Sequence, residues 1–170
     1  MGSKIGRKAI LWGAVCGTLP DLDVFIPFGG PVEDFTFHRG FSHSLFVLAL
    51  LTPLLVWLLL KIHPHTRPFR QRWFLLVFIT LMTHALLDSF TVYGTQLFWP
   101  FIEYPFGLSS IFIIDPMYTL PLLAGVVSAL CWVQKPRMGQ FMNNLGLLLS
   151  TTYLAWTLFA NWQIDGAIDQ

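Results

Sequence analysis

Four long apolar runs dominate this chain of 170 residues and restrict the folds open to it. They cover residues 44–62, 73–93, 111–133 and 141–162. Each is long enough for a transmembrane helix, which needs about 20 mostly apolar residues. The composition agrees, because 55% of the residues are hydrophobic and 11% are charged, against about 25% charged in ordinary soluble domains. The sequence therefore predicts an all-α, polytopic membrane helix bundle that forms a single transmembrane domain over residues 1–170.

A fifth apolar run, residues 9–19, is short and ends in PDLD. It is compatible with a short spanning helix, a re-entrant segment or the core of a signal peptide. The distribution of positive charge favours a short spanning helix, because lysines and arginines of short loops stay on the cytoplasmic side. Nine of the ten basic residues fall in three clusters: Lys4, Arg7 and Lys8; Lys61, Arg67, Arg70 and Arg72; Lys135 and Arg137. If the first run crosses, all three clusters share one face.

The acidic residues indicate the same topology. Seven of them share the opposite face with Arg39 as its single basic residue: Asp21, Asp23, Glu33, Asp34, Glu103, Asp165 and Asp169. We therefore predict five crossings, with the N-terminus in the cytoplasm and the C-terminus outside. The net charge of +1 carries no nucleic-acid signature, and we interpret the basic residues as topology anchors.

Two ionisable residues lie inside the third run. His84 is near its middle and Asp88 follows four residues later, so both project from one helical face. A carboxylate at that depth costs about 2.5–3.5 kcal/mol even on lenient insertion scales, so it requires a partner. His84 and Asp88 could hydrogen-bond to each other, or together they could bind a single metal ion.

Two other segments bring candidate metal ligands to the same side of the membrane as His84 and Asp88. Asp21 and Asp23 follow Pro20, where an extended or turning chain would point alternate residues the same way. His38 and His43 close the first outer loop. The predicted metal ligands are Asp21, Asp23, His38, His43, His84 and Asp88. Such a mixed oxygen and nitrogen set suits zinc foremost, with manganese or iron as alternatives, and one or two ions. Either member of the first two pairs could bind directly.

Several nearby residues have simpler interpretations. We predict that Ser42 caps the second transmembrane helix and interpret both Ser42 and Ser44 as caps in preference to nucleophiles. We also predict that Asp115, before Pro116, caps the fourth helix. An alternative role for Asp115 is to orient a ligand histidine. His63 and His65 lie in the basic loop, so we interpret them as solvated and exclude them from the site.

The motifs GTLPDLD, HRGFSHSL and HALLDSFTVYGTQLFWPF, in this order, resemble the YdjM family of small bacterial inner-membrane proteins, described as predicted metal-dependent hydrolases. The resemblance covers residues 13–101 and implies a multi-pass inner (cytoplasmic) membrane protein. A more distant resemblance, to zinc-dependent phospholipase C and P1-type nucleases, implies four ligands: Asp21 or Asp23, His38 or His43, His84 and Asp88. Those enzymes hold three zinc ions, whereas this chain has ligands for one or two.

These residues predict a membrane-embedded hydrolase that cleaves a phosphoester of a lipid or polyprenyl phosphate near the outer leaflet, using metal-activated water. Arg39 and Asp21 are the predicted catalytic residues. Arg39 would bind the phosphate bidentately, unless it neutralises Glu33 or Asp34. The stretch LFWPFIEYPF, residues 97–106, would form an interfacial belt or lid. The alternative functions are a metal-ion or proton-coupled transporter and a structural bundle stapled by metal.

Overall fold

The computed structural model describes residues 5–6, 8–30, 38–132 and 134–168, which form five α-helices and three short 3-10 helices. The α-helices are α1 (Lys8–Thr18), α2 (Leu45–Ile62), α3 (Arg70–Asp88), α4 (Pro116–Cys131) and α5 (Pro136–Ile168). The described residues contain no β-strand, although Thr95 and Phe106 form an isolated antiparallel bridge. The all-α prediction is confirmed. The chain divides into two compact units, Met1–Gly107 and Leu108–Gln170, and the single-domain organisation stays a prediction.

Helix α3 is the centre of the first unit. Trp73, Val77, Leu81 and Ala85 recur every four residues along it, and none of the four is exposed to solvent. Residues four apart lie on one helical face, so they form a continuous apolar stripe. α1 and α2 pack on α3 and contribute further buried residues to the same core.

Helices α1, α2 and α3 alternate in direction. At one end, Lys8 at the start of α1 lies 3.3 Å from His63, which follows α2. At the other end, Asp21 after α1 lies 3.4 Å from both His43, which precedes α2, and His84 near the end of α3. The two ends of this unit therefore carry different chemistry, basic at one end and rich in aspartate and histidine at the other.

Helix α2 is the one described helix that is long and apolar enough by length and composition to cross a membrane. Only 22% of its 18 residues are buried, so most of its apolar surface faces outward. α4 is apolar but has 16 residues, and α1 has 11, which is about 16 Å of helix. The predicted run 44–62 matches α2 closely.

Two predicted runs extend beyond their helices. α3 ends at Asp88, since the Ser89 and Thr91 hydroxyls bond to carbonyls of the last turn. α4 begins at Pro116, not at residue 111, because the Asp115 carboxylate accepts the Met117 backbone N–H at 2.9 Å. The predicted cap at Asp115 is thus confirmed. Its second oxygen accepts from the Tyr153 hydroxyl at 3.0 Å.

In the second unit, α4 and α5 pack against each other where side chains are smallest. A Cβ on Gly146 would overlap the carbonyl oxygen of Pro121, and one on Gly139 would lie 3.1 Å from the Ala129 Cα. The Ser150 hydroxyl donates to the Tyr118 carbonyl at 2.7 Å. The glycines therefore allow the backbones of the two helices to approach closely.

Candidate metal centre

Asp21 and Asp23 lie in a 3-10 helix, Pro20–Phe25, that begins directly after α1. The expectation that both point the same way is wrong, because this helix has three residues per turn and sends side chains two apart to different sides. Asp21 points to His43 and His84, whereas Asp23 is buried against the segment that precedes α2.

Four side chains from three segments converge in the His/Asp cluster, which comprises Asp21, His43, His84 and Asp88. One donor atom of each lies within 4.8 Å of the others. His43 Nε2 is 3.0 Å from Asp88 Oδ2 and 3.4 Å from Asp21 Oδ1. His84 Nε2 is 3.3 Å from both His43 Nε2 and Asp88 Oδ2, and 3.4 Å from Asp21 Oδ1.

These separations fit a single metal ion. Nitrogen and oxygen ligands lie about 2.0–2.1 Å from tetrahedral zinc, which places them about 3.3 Å from one another. Five donor–donor distances in the cluster, between 3.0 and 3.4 Å, match that spacing. Asp88 Oδ2 is buried, and the Nε2 atoms of both imidazoles lie beside it. The group of four could therefore hold a metal ion.

The charges around the cluster favour a cation. Hydrogen bonds to His43 and His84 lower the pKa of Asp21 well below its usual range. Burial alone would lower the pKa of His43, but hydrogen bonds to Asp21 and Asp88 outweigh burial and raise it. A divalent ion could replace the protons that these carboxylates attract, since metal ligation requires neutral imidazoles.

His38 and Asp23 lie outside the cluster and contact each other. Asp23 Oδ1 is 2.9 Å from His38 Nδ1, and Oδ2 accepts the Arg39 backbone N–H at 3.0 Å. Of the two pairs that the sequence leaves open, the structure brings Asp21 and His43 together with His84 and Asp88. Asp23 and His38 instead fix the loop that carries His43.

Ser42 connects Asp23 to His43. Its hydroxyl donates to Asp23 Oδ2, and its oxygen lies 2.9 Å from His43 Nδ1. Since the hydroxyl proton is used on Asp23, the oxygen accepts from Nδ1–H, and a neutral His43 keeps its Nε2 lone pair toward the cluster. The predicted cap at Ser42 is wrong, because residues 41–43 form a 3-10 turn. The interpretation of Ser44 as a cap is confirmed, since its side chain caps α2 by accepting the Val47 N–H.

Arg39 is 6% exposed and adopts a left-handed backbone conformation, with φ 63°. One terminal nitrogen donates to Thr91 Oγ1 at 2.9 Å, and the other lies 3.7 Å from Asp88 Oδ1. Its Nε has no hydrogen-bond partner among the described residues. Glu33 and Asp34, the alternative partners, lie outside the described residues, as do Lys4, Arg7 and Asp169.

Ser42 and Thr91 have contacts that the sequence did not predict. Ser42 could have been identified from the sequence, because its hydroxyl is adjacent to a candidate ligand histidine. Thr91 could not, because it is 52 residues from Arg39 in sequence and only the fold brings the two together. His63, interpreted as solvated, is half-buried and accepts from Trp12 Nε1 at 3.0 Å, while His65 is exposed. The predicted belt, residues 97–106, places Phe101 and Tyr104 on the surface.

The chain is similar to known proteins over most of its length. A model of the YdjM inner membrane protein family matches residues 1–164. The inner membrane protein YbcI of Escherichia coli K12 is 34% identical, over 81% of this chain and 84% of its own length. The uncharacterized protein YfhP of Bacillus subtilis 168 is 26% identical, and the match covers 69% of this chain but 36% of that protein. No solved structure matches the chain. The chain belongs to the YdjM inner membrane protein family.

Proposed function

We propose that this protein is a membrane-embedded, metal-dependent hydrolase that cleaves a phosphoester of a lipid or polyprenyl phosphate. The observation that carries the proposal is the His/Asp cluster, in which two imidazoles and two carboxylates meet with donor separations suited to one divalent ion. Zinc is the ion that these separations and this ligand set favour, with manganese and iron as alternatives.

The proposed topology has five crossings, the N-terminus in the cytoplasm and the cluster toward the outer face. Two features support it. The ends of α1, α2 and α3 alternate, so Lys8, Lys61 and Arg70 share one end of the first unit. The cluster occupies the opposite end, and short loops rich in lysine and arginine stay in the cytoplasm.

Asp21 would link the centre to solvent. Its side chain is 50% exposed, while that of His43 is fully buried and those of His84 and Asp88 are mostly buried. Asp21, His43, His84 and Asp88 would hold a divalent ion, and, with a further coordination position left open beside Asp21, that ion would supply a Lewis acid that lowers the pKa of water toward 7. Asp21 is the ligand beside which water could enter and from which a proton could pass to solvent.

Arg39 would provide positive charge beside the reacting phosphate. Its guanidinium is held by Thr91 and lies near Asp88, so its orientation is fixed before a substrate arrives. Its Nε–H is buried and has no acceptor among the described residues. We propose that this group stabilises the negative charge that develops during hydrolysis.

A lipid substrate is supported by the apolar surroundings. An open cavity of about 320 Å³ lies at Asp23 and His38, and its remaining lining is mainly apolar: Val24, Phe25, Ile26, Pro27 and Phe28. Phe25 and Val24 are largely exposed, as are Phe101 and Tyr104 of the predicted belt. Such a surface favours a headgroup ester attached to acyl or prenyl chains over a free sugar or nucleotide.

The proposal is tested by measuring metal content and hydrolysis on the same detergent-purified samples. We expect about one divalent ion per chain by elemental analysis. We also expect phosphate release from a phospholipid or polyprenyl phosphate in mixed micelles. His84→Ala should lose both properties, whereas the matched control His65→Ala, at the opposite end of the unit, should keep both. Turnover that persists after the metal is lost would contradict the mechanism.

Reconstituted liposomes distinguish the proposed hydrolase from a transporter. A hydrolase releases product without moving ions, so zinc and proton flux should equal those of empty liposomes. Flux that requires His84, in the absence of hydrolysis, would instead assign the cluster to transport.

A further inference from the structure

The basic end of the first unit carries an open cavity that the metal centre does not use. It measures about 420 Å³ and is lined by Trp57, Leu60, Lys61, Arg67 and Arg70. These residues come from the end of α2, from the 3-10 helix Pro64–Phe69 and from the start of α3. Lys61 lies 16 residues after the start of α2, which is about 24 Å of helix away from the end that His43 precedes. The cavity is therefore a separate site.

The charge of this cavity is not balanced by the surrounding protein. Lys61, Arg67 and Arg70 have no carboxylate within 4.0 Å in the part of the chain that the structure describes. No acidic residue lines the cavity. Three cations that converge without a counter-ion repel one another, and an anion among them would relieve that repulsion.

The apolar side of the cavity continues along α2. Lys61 Nζ lies 4.9 Å from the centre of the Trp57 ring, so ammonium and indole stack at the rim. Leu50, Leu54 and Trp57 are exposed, and with Lys61 they follow the four- and three-residue spacing of one helical face. A ligand bound at Lys61 therefore has an apolar track running away from the charges.

We propose that this cavity binds the headgroup phosphate of an anionic glycerophospholipid, with an acyl chain along the exposed face of α2. Arg67 and Arg70 present planar guanidinium groups suited to phosphate oxygens, and Lys61 adds a third cation. Trp57 lies one turn before Lys61, near the end of α2 that would meet the membrane interface, where indole rings are enriched. Basic pockets of this kind beside transmembrane helices bind anionic headgroups. The site does not depend on the hydrolase activity.

The test uses the full chain purified in detergent, with phosphatidylglycerol or phosphatidylcholine added to the micelles. Native mass spectrometry should retain phosphatidylglycerol, and the melting temperature should rise with that lipid and not with phosphatidylcholine. Arg67→Gln and Arg70→Gln should each weaken the apparent affinity about fivefold. Arg70→Lys, which keeps the charge, should lose less. The melting temperature in phosphatidylcholine alone verifies that each variant is folded.

Arg72→Gln is the matched control, because Arg72 lies on the same end of α3 but does not line the cavity. It should bind phosphatidylglycerol as the unmodified chain does. Equal losses for Arg67→Gln, Arg70→Gln and Arg72→Gln would show diffuse attraction in place of a site and overturn the proposal. Stabilisation by inorganic phosphate at the same concentration would also overturn it, since the acyl chain would then contribute nothing.

Discussion

His43 Nε2 and His84 Nε2 face each other at 3.3 Å, with their ring centres 5.2 Å apart. Two imidazole nitrogens at that distance can share at most one proton, so two neutral rings would otherwise turn lone pairs toward each other. Asp21 and Asp88 oxygens flank the same point. A cation between the rings would remove the repulsion between these lone pairs, so we expect a metal ion to bind at this contact.

Substitution of His43 and substitution of His38 should have different effects on the metal content of the protein. His43→Ala removes a donor from the cluster, so we expect the ion to be lost from the purified protein. His38→Ala removes a partner of Asp23 and no cluster atom, so it should retain the ion. Elemental analysis of both variants checks this. Equal metal loss in the two would contradict the assignment of His43 over His38.

Ser42→Ala should weaken metal binding without removing a ligand. The hydroxyl fixes the His43 ring through Nδ1, and loss of such an outer partner typically costs about 10–100-fold in metal affinity. A competition titration with a chelator measures this change. Ser44→Ala is the control: it removes the cap of α2 and should lower stability by about 1 kcal/mol while leaving metal affinity unchanged.

Arg39→Lys should distinguish the effect of a positive charge at this position from the effect of a guanidinium held in a fixed orientation. The substitution keeps a cation near Asp88 but loses the guanidinium contact to Thr91. We expect kcat for lipid phosphoester hydrolysis to fall about 10²–10³-fold, the usual cost of losing one oriented donor, with metal content unchanged. Arg72→Lys at the basic end should have no effect. A parallel loss of metal in Arg39→Lys would indicate a structural role.

Gly146→Ala should destabilise the second unit. The added methyl would overlap the Pro121 carbonyl of α4, so the two helices must separate, at a cost of about 1–3 kcal/mol. Gly166→Ala lies on the same helix, where the added methyl would have no described atom within 4 Å apart from the helix backbone and its two chain neighbours, so it should be neutral or slightly stabilising. Thermal unfolding in detergent compares the two. An unchanged melting temperature for Gly146→Ala would contradict the close helix contact.

Reporter fusions test the five crossings. A reporter that is active only outside the cytoplasm should be active when fused after Gln170 and inactive when fused at His65. A cytoplasmic reporter should give the reverse pattern. Cytoplasmic activity at the C-terminus would contradict five crossings from a cytoplasmic N-terminus. Activity of the outside reporter at His65 would remove the proposed position of the cluster on the outer face.

The helices were predictable because apolar composition alone marks them, but their ends were not. The apolar residues 111–114 continue the hydropathy of α4, yet Pro116 is suited to the first helical position and Asp115 caps the helix there. Similarly, α3 stops at Asp88 although the apolar run continues. Local hydrogen bonds set these boundaries, and hydropathy does not detect them.

The site was predictable where helical spacing determines direction. His84 and Asp88 are four residues apart, so a helix necessarily puts them on one face. The choice between Asp21 and Asp23 depends on the 3-10 helix after α1, and the sequence was equally compatible with an extended chain. The contact between Ser42 and Asp23 joins residues 19 apart, and only the folded chain brings them together.

The half-exposed side chain of Asp21 contrasts with the buried His43, and this asymmetry affects how an ion would exchange. Rotation of one carboxylate could open the coordination sphere while α2 and α3 stay packed, so loading would not require unfolding. Occupancy should then track the free metal concentration of the compartment that Asp21 faces, and a chelator confined to that compartment should strip the ion from intact cells.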